Sequence, residues 1–192
     1  MILLILGLAM FLGVHSVRIF GSKWREAFIE QRGTGAWRGI YAALSGIGFL
    51  LLIKGYSDAR SAPALWARPA GAEHITSILV LIGFILLTAA YWPRNHIKTA
   101  VRDPMVLGVG VWALGHLASE SSAPALALFL GFLVWAVLEF ISLRRRGDGA
   151  PAPASAPDRW INTVGTVAAG VALFVAFALW GHPLLIGVRL FG

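Results

Sequence analysis

The chain has 192 residues, of which 58% are hydrophobic and 13% charged, with a net charge of +7 and no cysteine. Soluble domains carry about 25% charged residues, so the composition indicates a single integral-membrane domain over residues 1–192. The lack of cysteine excludes disulfides, thiolate chemistry and iron–sulfur clusters.

Hydropathy predicts six apolar helices, which cover residues 2–20, 39–55, 74–92, 104–118, 123–143 and 160–181. A helix needs about 20 apolar residues to cross about 30 Å of hydrocarbon, and the fourth segment is the shortest. Strand-like alternation is absent from the sequence. We therefore expect an all-α, polytopic six-helix bundle in a lipid bilayer. Two small-residue pairs with four-residue spacing, Ala42 with Gly46 and Gly165 with Ala169, are expected to allow close helix packing.

The basic residues predict the orientation of this bundle, because cytoplasmic loops carry an excess of Lys and Arg. Twelve of the 16 lie in or beside the first, third and fifth loops: Arg18, Lys23, Arg25, Arg32, Arg38, Arg94, Lys98, Arg102, Arg144, Arg145, Arg146 and Arg159. Both termini are therefore expected outside. Nucleic-acid binding is not expected, because no basic patch is interleaved with exposed aromatic residues.

The segments between and before the apolar helices add three expectations. The first apolar run begins at Met1 without a preceding basic residue or a cleavage site, so it is interpreted as an uncleaved helix. Loop 21–37 is expected to contain a short amphipathic helix over residues 23–31, with Trp24 and Phe28 on one face. Loop 147–157 is Ala/Pro-rich and is interpreted as a tether.

Two histidines interrupt segments that are otherwise almost purely apolar. His15 lies in the first apolar helix, and Arg18 follows on the same helical face. An ionisable residue at membrane depth requires a partner and is a candidate functional residue. His15 could bind a metal or form a helix–helix hydrogen bond, and Arg18 could pair with a cofactor carboxylate or extend to the interface.

His116 lies in the fourth apolar helix, whose start carries Asp103 as a predicted N-cap and Pro104 at the first helical position. Gly108, Trp112 and His116 then recur every four residues and form one stripe. A planar ligand could lie against this stripe, with Gly108 opening space, Trp112 forming a wall and His116 providing a nitrogen. The alternative is a His116 side chain hydrogen-bonded to a neighbouring helix.

The other three histidines lie at the ends of apolar segments, where water can reach them. His74 and His96 are interpreted as interfacial, and His182 as a third polar group near the outer end of His116's helix. Pro183 is expected to break the last helix just after His182.

Two buried imidazoles without sulfur ligands favour iron, and low-spin haem with two axial histidines is the simplest such site. Helix rise places His15 about 10 Å deeper than His116 below the outer surface. Ligation of one iron by both therefore requires an inclined haem or a shifted first helix.

The same residues carry a family resemblance. FLGVHSVRI in the first segment, DPMVLGVGVWALGHLASE in the fourth and LWGHPLLIGV near the end resemble the NnrU family of bacterial membrane proteins. The resemblance covers essentially the whole chain and implies a multi-pass protein of the bacterial inner membrane, associated with denitrification. The family is similar to 15-cis-ζ-carotene isomerase, a haem b membrane protein.

The resemblance implies that His15 and His116 are haem b ligands and catalytic residues, and that an apolar polyene such as a carotenoid is isomerised. The family's fourth helix usually opens with Arg-His-Pro, whereas this chain has Asp103 in place of that histidine. A role of the family's histidine as a hydrogen-bond donor or ligand is therefore not carried over to Asp103.

Two alternatives remain. The chain could be a haem-bearing sensor, electron carrier or assembly factor in nitric-oxide metabolism without enzymatic activity. Its fourth helix also resembles that of membrane methyltransferases that use S-adenosylmethionine. Those enzymes carry acidic residues near the C-terminal end, whereas this chain ends in GVRLFG.

Overall fold

A computed structural model describes residues 1–147 and 159–188, so the expected tether lies almost entirely outside the described residues. The described residues form helices, with one isolated β-bridge between Ala64 and Ser122. The helices are α1 (Ile2–His15), α2 (Val17–Phe20), α3 (Ser22–Ala59), α4 (Ala72–Tyr91), α5 (His96–Val101), α6 (Pro104–Ser119), α7 (Ala123–Arg146), α8 (Trp160–Ala176) and α9 (His182–Ile186), with a π-helical turn, Phe177–Gly181, between the last two.

Four of the described helices are long and apolar enough to cross a membrane: α3, α4, α7 and the continuous helix Trp160–Ile186. The helices α1 and α6 are apolar but shorter, with 14 and 16 residues. The prediction of an all-helical membrane protein is therefore confirmed. The six-span count and the outer location of the termini stay predictions.

The first two predicted segments differ in detail from the observed helices. The first is divided at Ser16, whose amide bonds the carbonyls of both Leu12 and Gly13, so that α2 is a separate short helix. The expected loop 21–37 is helical from Ser22 onward except at Gly33, where φ is 84° and ψ is 158°. Glycine adopts positive φ without a Cβ clash, so the surface helix 22–32 can fold back onto the span that follows.

The expected amphipathic face of this surface helix packs on one tryptophan. The rings of Trp24 and Phe28 each lie 6.0 Å from that of Trp37, which begins the apolar part of α3. The Arg25 guanidinium lies 5.6 Å from the same Trp37 ring. The aromatic contacts therefore hold the surface helix against the bundle.

Glycines bring the main helices into close contact. Of the two glycines expected from spacing, Gly165 takes part, since a Cβ there would lie 2.9 Å from the Trp92 ring. A Cβ on Gly55 would lie 2.3 Å from the Leu4 nitrogen, and one on Gly48 would lie 2.8 Å from the Phe11 nitrogen, so α1 and α3 pack without side chains between them. In contrast, Gly46 has no atom within 4 Å of that position, so the expected packing role of Gly46 is wrong. The choice among glycines depends on which face meets α1.

Two ends of the bundle frame the candidate site. At the end that we call the basic end, Arg144 donates a hydrogen bond to the Val101 carbonyl (2.8 Å) and Arg146 donates one to the Arg18 carbonyl (3.1 Å). At the opposite end, which we call the loop end, the Leu65 amide bonds the Ser121 carbonyl at 3.0 Å. The buried core lies between the two ends and consists of Leu4, Leu8, Leu52, Ala113, Ala125, Leu128 and Phe129.

Candidate functional site

His15 is the last residue of α1 and lies toward the basic end. Its Nδ1 lies 2.7 Å from the Phe11 carbonyl oxygen, one helical turn earlier. Its ring stacks on Phe11 at 4.2 Å and lies 5.1 Å from Tyr41 and 6.0 Å from Trp135. The imidazole is therefore held by aromatic rings from α1, α3 and α7.

His116 lies three residues before the end of α6, toward the loop end. Its Nδ1 lies 2.9 Å from the Trp112 carbonyl oxygen, again one turn earlier. Its ring stacks on Phe129 at 4.4 Å and lies 5.2 Å from Trp112. The second imidazole is thus held in the same way as the first, between its own helix and α7.

The two hydrogen bonds define the tautomer of both histidines. A carbonyl oxygen only accepts, so Nδ1 must carry the proton in each ring. In a neutral imidazole the lone pair then lies on Nε2, which is the nitrogen available to a metal. Nε2 has no hydrogen-bond partner among the described residues in either ring.

A continuous series of aromatic rings lies between the two imidazoles. Phe132 of α7 lies 5.7 Å from Phe11, beside His15, and 5.4 Å from Trp112, beside His116. His15 contacts α7 at Trp135 and His116 contacts it at Phe129, six residues apart. That spacing corresponds to about 9 Å along the helix axis, compared with the difference of about 10 Å expected from the sequence.

Gly108 contributes to helix packing. A Cβ on Gly108 would lie 3.0 Å from the Gly83 carbonyl oxygen and 3.2 Å from the Leu86 Cβ, so α6 rests directly on α4 at this point. Trp112 follows one turn later and contacts both Phe129 and Phe132. The stripe predicted from the sequence therefore faces α4 at Gly108 and the aromatic series at Trp112.

Arg18 and His182 lie near opposite ends of the molecule. Arg18 belongs to α2, and its carbonyl oxygen accepts the hydrogen bond from Arg146 described above. His182 follows the π-helical turn, and its Nδ1 lies 2.9 Å from the Val188 carbonyl oxygen. His182 is within electrostatic range of His116, whereas Arg18 is placed near the end of α1 that carries His15.

The Pro183 region departs from the sharp break expected there. The helix continues as the π-helical turn and α9, and it ends at Gly187, where φ is 75°. Pro183 therefore lies inside a continuous helix, and the regular α-helical hydrogen bonding is interrupted in the π-helical turn that directly precedes α9.

The interfacial histidines have local partners. His96 Nδ1 lies 2.9 Å from the Thr163 hydroxyl, and its ring stacks on Trp160 at 4.3 Å. His74 lies 3.4 Å from Glu73 at the start of α4. Both histidines sit at helix ends in the described structure, as their positions in the sequence predict.

Two ion pairs lie at the basic end of the bundle. At the basic end, Arg144 lies 3.4 Å from Asp103, and Arg146 lies 3.2 Å from Glu139. The second spacing, seven residues along α7, is a signal that the sequence does contain. The first joins residues 41 positions apart, which no local spacing reveals.

Asp103 was expected to cap α6, but its side chain makes no capping hydrogen bond. The carboxylate faces Arg144 instead, and the Arg144 guanidinium also lies 4.6 Å from the Phe140 ring. Asp103 thus links the start of α6 to the end of α7.

At the loop end, Glu120 follows α6 directly and lies 3.9 Å from Arg68. Burial raises the pKa of the Glu120 carboxyl, and the charges of Arg68 and His182 act in the opposite direction. Glu120 is therefore a partly buried carboxyl at the His116 end of α6, and Arg68 is its cationic partner.

These residues fit haem in their chemistry. Each histidine has its Nδ1–H bonded to a carbonyl and its Nε2 without a hydrogen-bond partner among the described residues, which is the state in which imidazole binds iron. The rings of Phe11, Phe132 and Trp112 link the two imidazoles in the described structure, so both would hold one iron only if these rings moved aside.

Comparison with protein families agrees with the motifs. The family model described as NnrU protein matches residues 3–190, which is nearly the whole chain. No curated protein and no solved structure matches the chain. The chain belongs to the NnrU family.

Proposed function

We propose that this chain is a multi-pass protein of the bacterial inner membrane that binds haem b between α1 and α6, where His15 and His116 would hold its iron. The observation that carries the proposal is the matched pair of imidazoles, each with Nδ1 bonded to the carbonyl four residues earlier. The family includes 15-cis-ζ-carotene isomerase-like proteins, which supports the same cofactor.

The aromatic series supports the location. Phe11, Trp112, Phe129 and Phe132 are flat, apolar side chains that can turn about their side-chain bonds. A porphyrin is also flat and apolar except for its carboxylates. It would replace ring–ring contacts by ring–porphyrin contacts, so little polar surface would have to be buried.

Each residue near the ligands has a separate task in this proposal. The Phe11 and Trp112 carbonyls fix the two imidazoles in the Nδ1–H tautomer and orient Nε2. Arg18 lies at the basic end, where its charge would pair with a porphyrin carboxylate. His182 and Glu120 provide the polar groups near the His116 side.

For activity, we propose cis–trans isomerisation of a polyene such as a carotenoid. When bound, haem supplies an iron that donates electron density or acts as a Lewis acid at a double bond. An apolar groove of about 750 Å³ lies between α4 and α8, lined by Phe84, Leu87, Thr88, Tyr91, Trp92, Pro93, Ala169 and Leu173. Leu87 lines this groove and also contacts the Gly108 position of α6, so an apolar chain could lie one helix away from the histidines.

A second candidate is a haem-bearing carrier or sensor without enzymatic activity. It is favoured by the composition of the groove, whose lining residues include neither His15 nor His116. A carrier requires the haem but no path by which a polyene reaches it.

Expression in a host that accumulates 15-cis-ζ-carotene tests the proposal and separates the candidates. The isomerase proposal predicts conversion by the wild type and none by His116→Ala, with His74→Ala as the matched control. A haem-loaded wild type that leaves the carotene unchanged would favour the carrier. A wild type that binds S-adenosylmethionine in calorimetry and holds no haem would refute both.

A further inference from the structure

Buried polar atoms without partners are concentrated beside His15. Five buried side-chain atoms of the described residues have no hydrogen-bond partner, and three of them are Ser45 Oγ, Trp135 Nε1 and Glu139 Oε2. The other two belong to the Asp103–Arg144 pair at the basic end. Three such atoms from two helices require a common explanation.

The three atoms converge on one place. Trp135 and Glu139 are one turn apart on α7, and Tyr41 and Ser45 are one turn apart on α3. The Trp135 ring lies edge-on to His15 at 6.0 Å, and the Tyr41 ring lies 5.1 Å from the same imidazole. Glu139 is within electrostatic range of both His15 and Tyr41.

Leaving these buried polar atoms without hydrogen-bond partners would destabilise the folded state. An unpaired buried donor or acceptor costs about 1–3 kcal/mol, and a charged group costs more. The three atoms include a hydroxyl, an indole N–H and a carboxylate oxygen, so together they offer donors and acceptors to the same small molecule. Water is the partner that satisfies such sets in proteins.

A polar stripe connects this place with the basic end. Trp135, Glu139, Ser142 and Arg146 follow one another at intervals of four, three and four residues, which places them on one face of α7. Arg146 lies 3.2 Å from the Glu139 carboxylate and also bonds the Ser142 hydroxyl. The side chains of Glu139 and Arg146 are only 12% and 22% exposed, so the stripe faces the interior of the bundle.

We propose that this stripe lines a hydrated inlet that admits water from the basic end of the bundle to the side of His15. Its walls are α7 on one side and the Tyr41–Ser45 turn of α3 on the other, and Arg146 lies at its mouth. Charged residues within membrane helices usually face the bundle interior or a water-filled cavity. Glu139 and Arg146 are such residues, since both lie on the buried face of α7 and form an ion pair. The inlet does not depend on haem, because the unpaired buried atoms of Ser45, Trp135 and Glu139 need a hydrogen-bonding partner whether or not haem is bound.

The absence of cysteine from the chain provides a clean background for the test. Single cysteines would be introduced at Ser45 and Ser142 in the inlet and at Ile47 and Ile141 on the lipid-facing side of the same helices. Ile47 and Ile141 are 50% and 41% exposed. Each control lies within about 3 Å of its inlet position along the helix axis, so the two members of a pair have similar depth. The purified variants in phosphatidylcholine nanodiscs would be treated with aminoethyl methanethiosulfonate, which reacts with the thiolate.

Because apolar surroundings suppress thiolate formation, S45C should react at least about tenfold faster than I47C, and S142C at least about tenfold faster than I141C. Adding Glu139→Leu should slow S45C and leave I47C unchanged, with Glu139→Gln as the polar control. Equal rates for S45C and I47C would overturn the inlet, whether or not the protein contains haem. If Glu139→Leu fails to fold, the S45C and I47C pair alone decides the question.

Discussion

Asp103 and Arg144 meet across 3.4 Å and join the start of α6 to the end of α7. Their side chains are 10% and 32% exposed, and Arg144 also holds the Val101 carbonyl. The contact fixes α6, and therefore His116, relative to α7. Asp103 thus has a structural partner in Arg144.

Asp103→Ala should lower the free energy of unfolding by about 1–3 kcal/mol, because it leaves the Arg144 guanidinium without its carboxylate. Thermal melting in detergent would measure this loss. The double variant with Arg144→Ala should be less destabilised than the sum of the single variants. Additive losses would show that the pair is not coupled.

The packing of α1 on α3 makes a prediction about two glycines of the same helix. Gly55→Ala should destabilise by about 2–3 kcal/mol, because the added methyl would overlap the Leu4 backbone. Gly46→Ala is the matched control, since that position has open space, and it should be neutral or gain up to about 1 kcal/mol. Similar melting temperatures for the two variants would contradict the placement of α1.

The turn at Gly33 predicts a similar asymmetry. Gly33→Ala should cost about 1–2 kcal/mol, because φ of 84° forces the new Cβ against the backbone. Gly35→Ala, where no atom lies within 4 Å, should not destabilise. The change in fluorescence of Trp24 and Trp37 on melting would report on the surface helix, and an equal response of both variants would count against the break at Gly33.

Glu120 predicts a dependence of stability on pH. Since burial raises the pKa of its carboxyl in the folded chain above the usual 4.5, the folded state binds the proton more tightly than the unfolded state. Its contribution to stability is therefore present below pH 4.5 and is lost as the pH rises through the folded pKa.

Melting temperatures measured from pH 4 upward should accordingly show that Glu120→Gln loses less stability than the wild type as the pH rises. The exposed Glu73→Gln is the control and should follow the wild-type curve. Parallel curves for the wild type and Glu120→Gln would show that Glu120 has the same pKa in both states.

Much of this architecture follows from composition and spacing. The apolar segments predict where the helices lie, because a membrane-spanning helix needs a continuous apolar run. The four-residue spacing of Trp24 and Phe28 predicts the amphipathic surface helix, whose two rings both contact Trp37. The four-residue spacing of Trp112 and His116 correctly places them on one face of α6.

Other features depend on which surfaces meet in three dimensions. The helix α3 contains several glycines, and only the position of α1 distinguishes Gly48 and Gly55 from Gly46. The sequence likewise shows Asp103 before a proline, a typical cap, but cannot show that Arg144 lies close enough to bind it. The regular spacing of the polar residues along α7 is present in the sequence. Their proximity to Tyr41 and Ser45 depends on how α3 packs against α7, which the sequence does not show.

The most direct test of the central proposal is the absorption spectrum of the protein purified from haem-replete cells. Shared ligation by His15 and His116 predicts the spectrum of low-spin, six-coordinate haem b. Either His15→Ala or His116→Ala should convert it to a high-spin spectrum or abolish it, while His74→Ala should leave it unchanged. A colourless wild type, or a low-spin spectrum that survives both substitutions, would contradict the proposal.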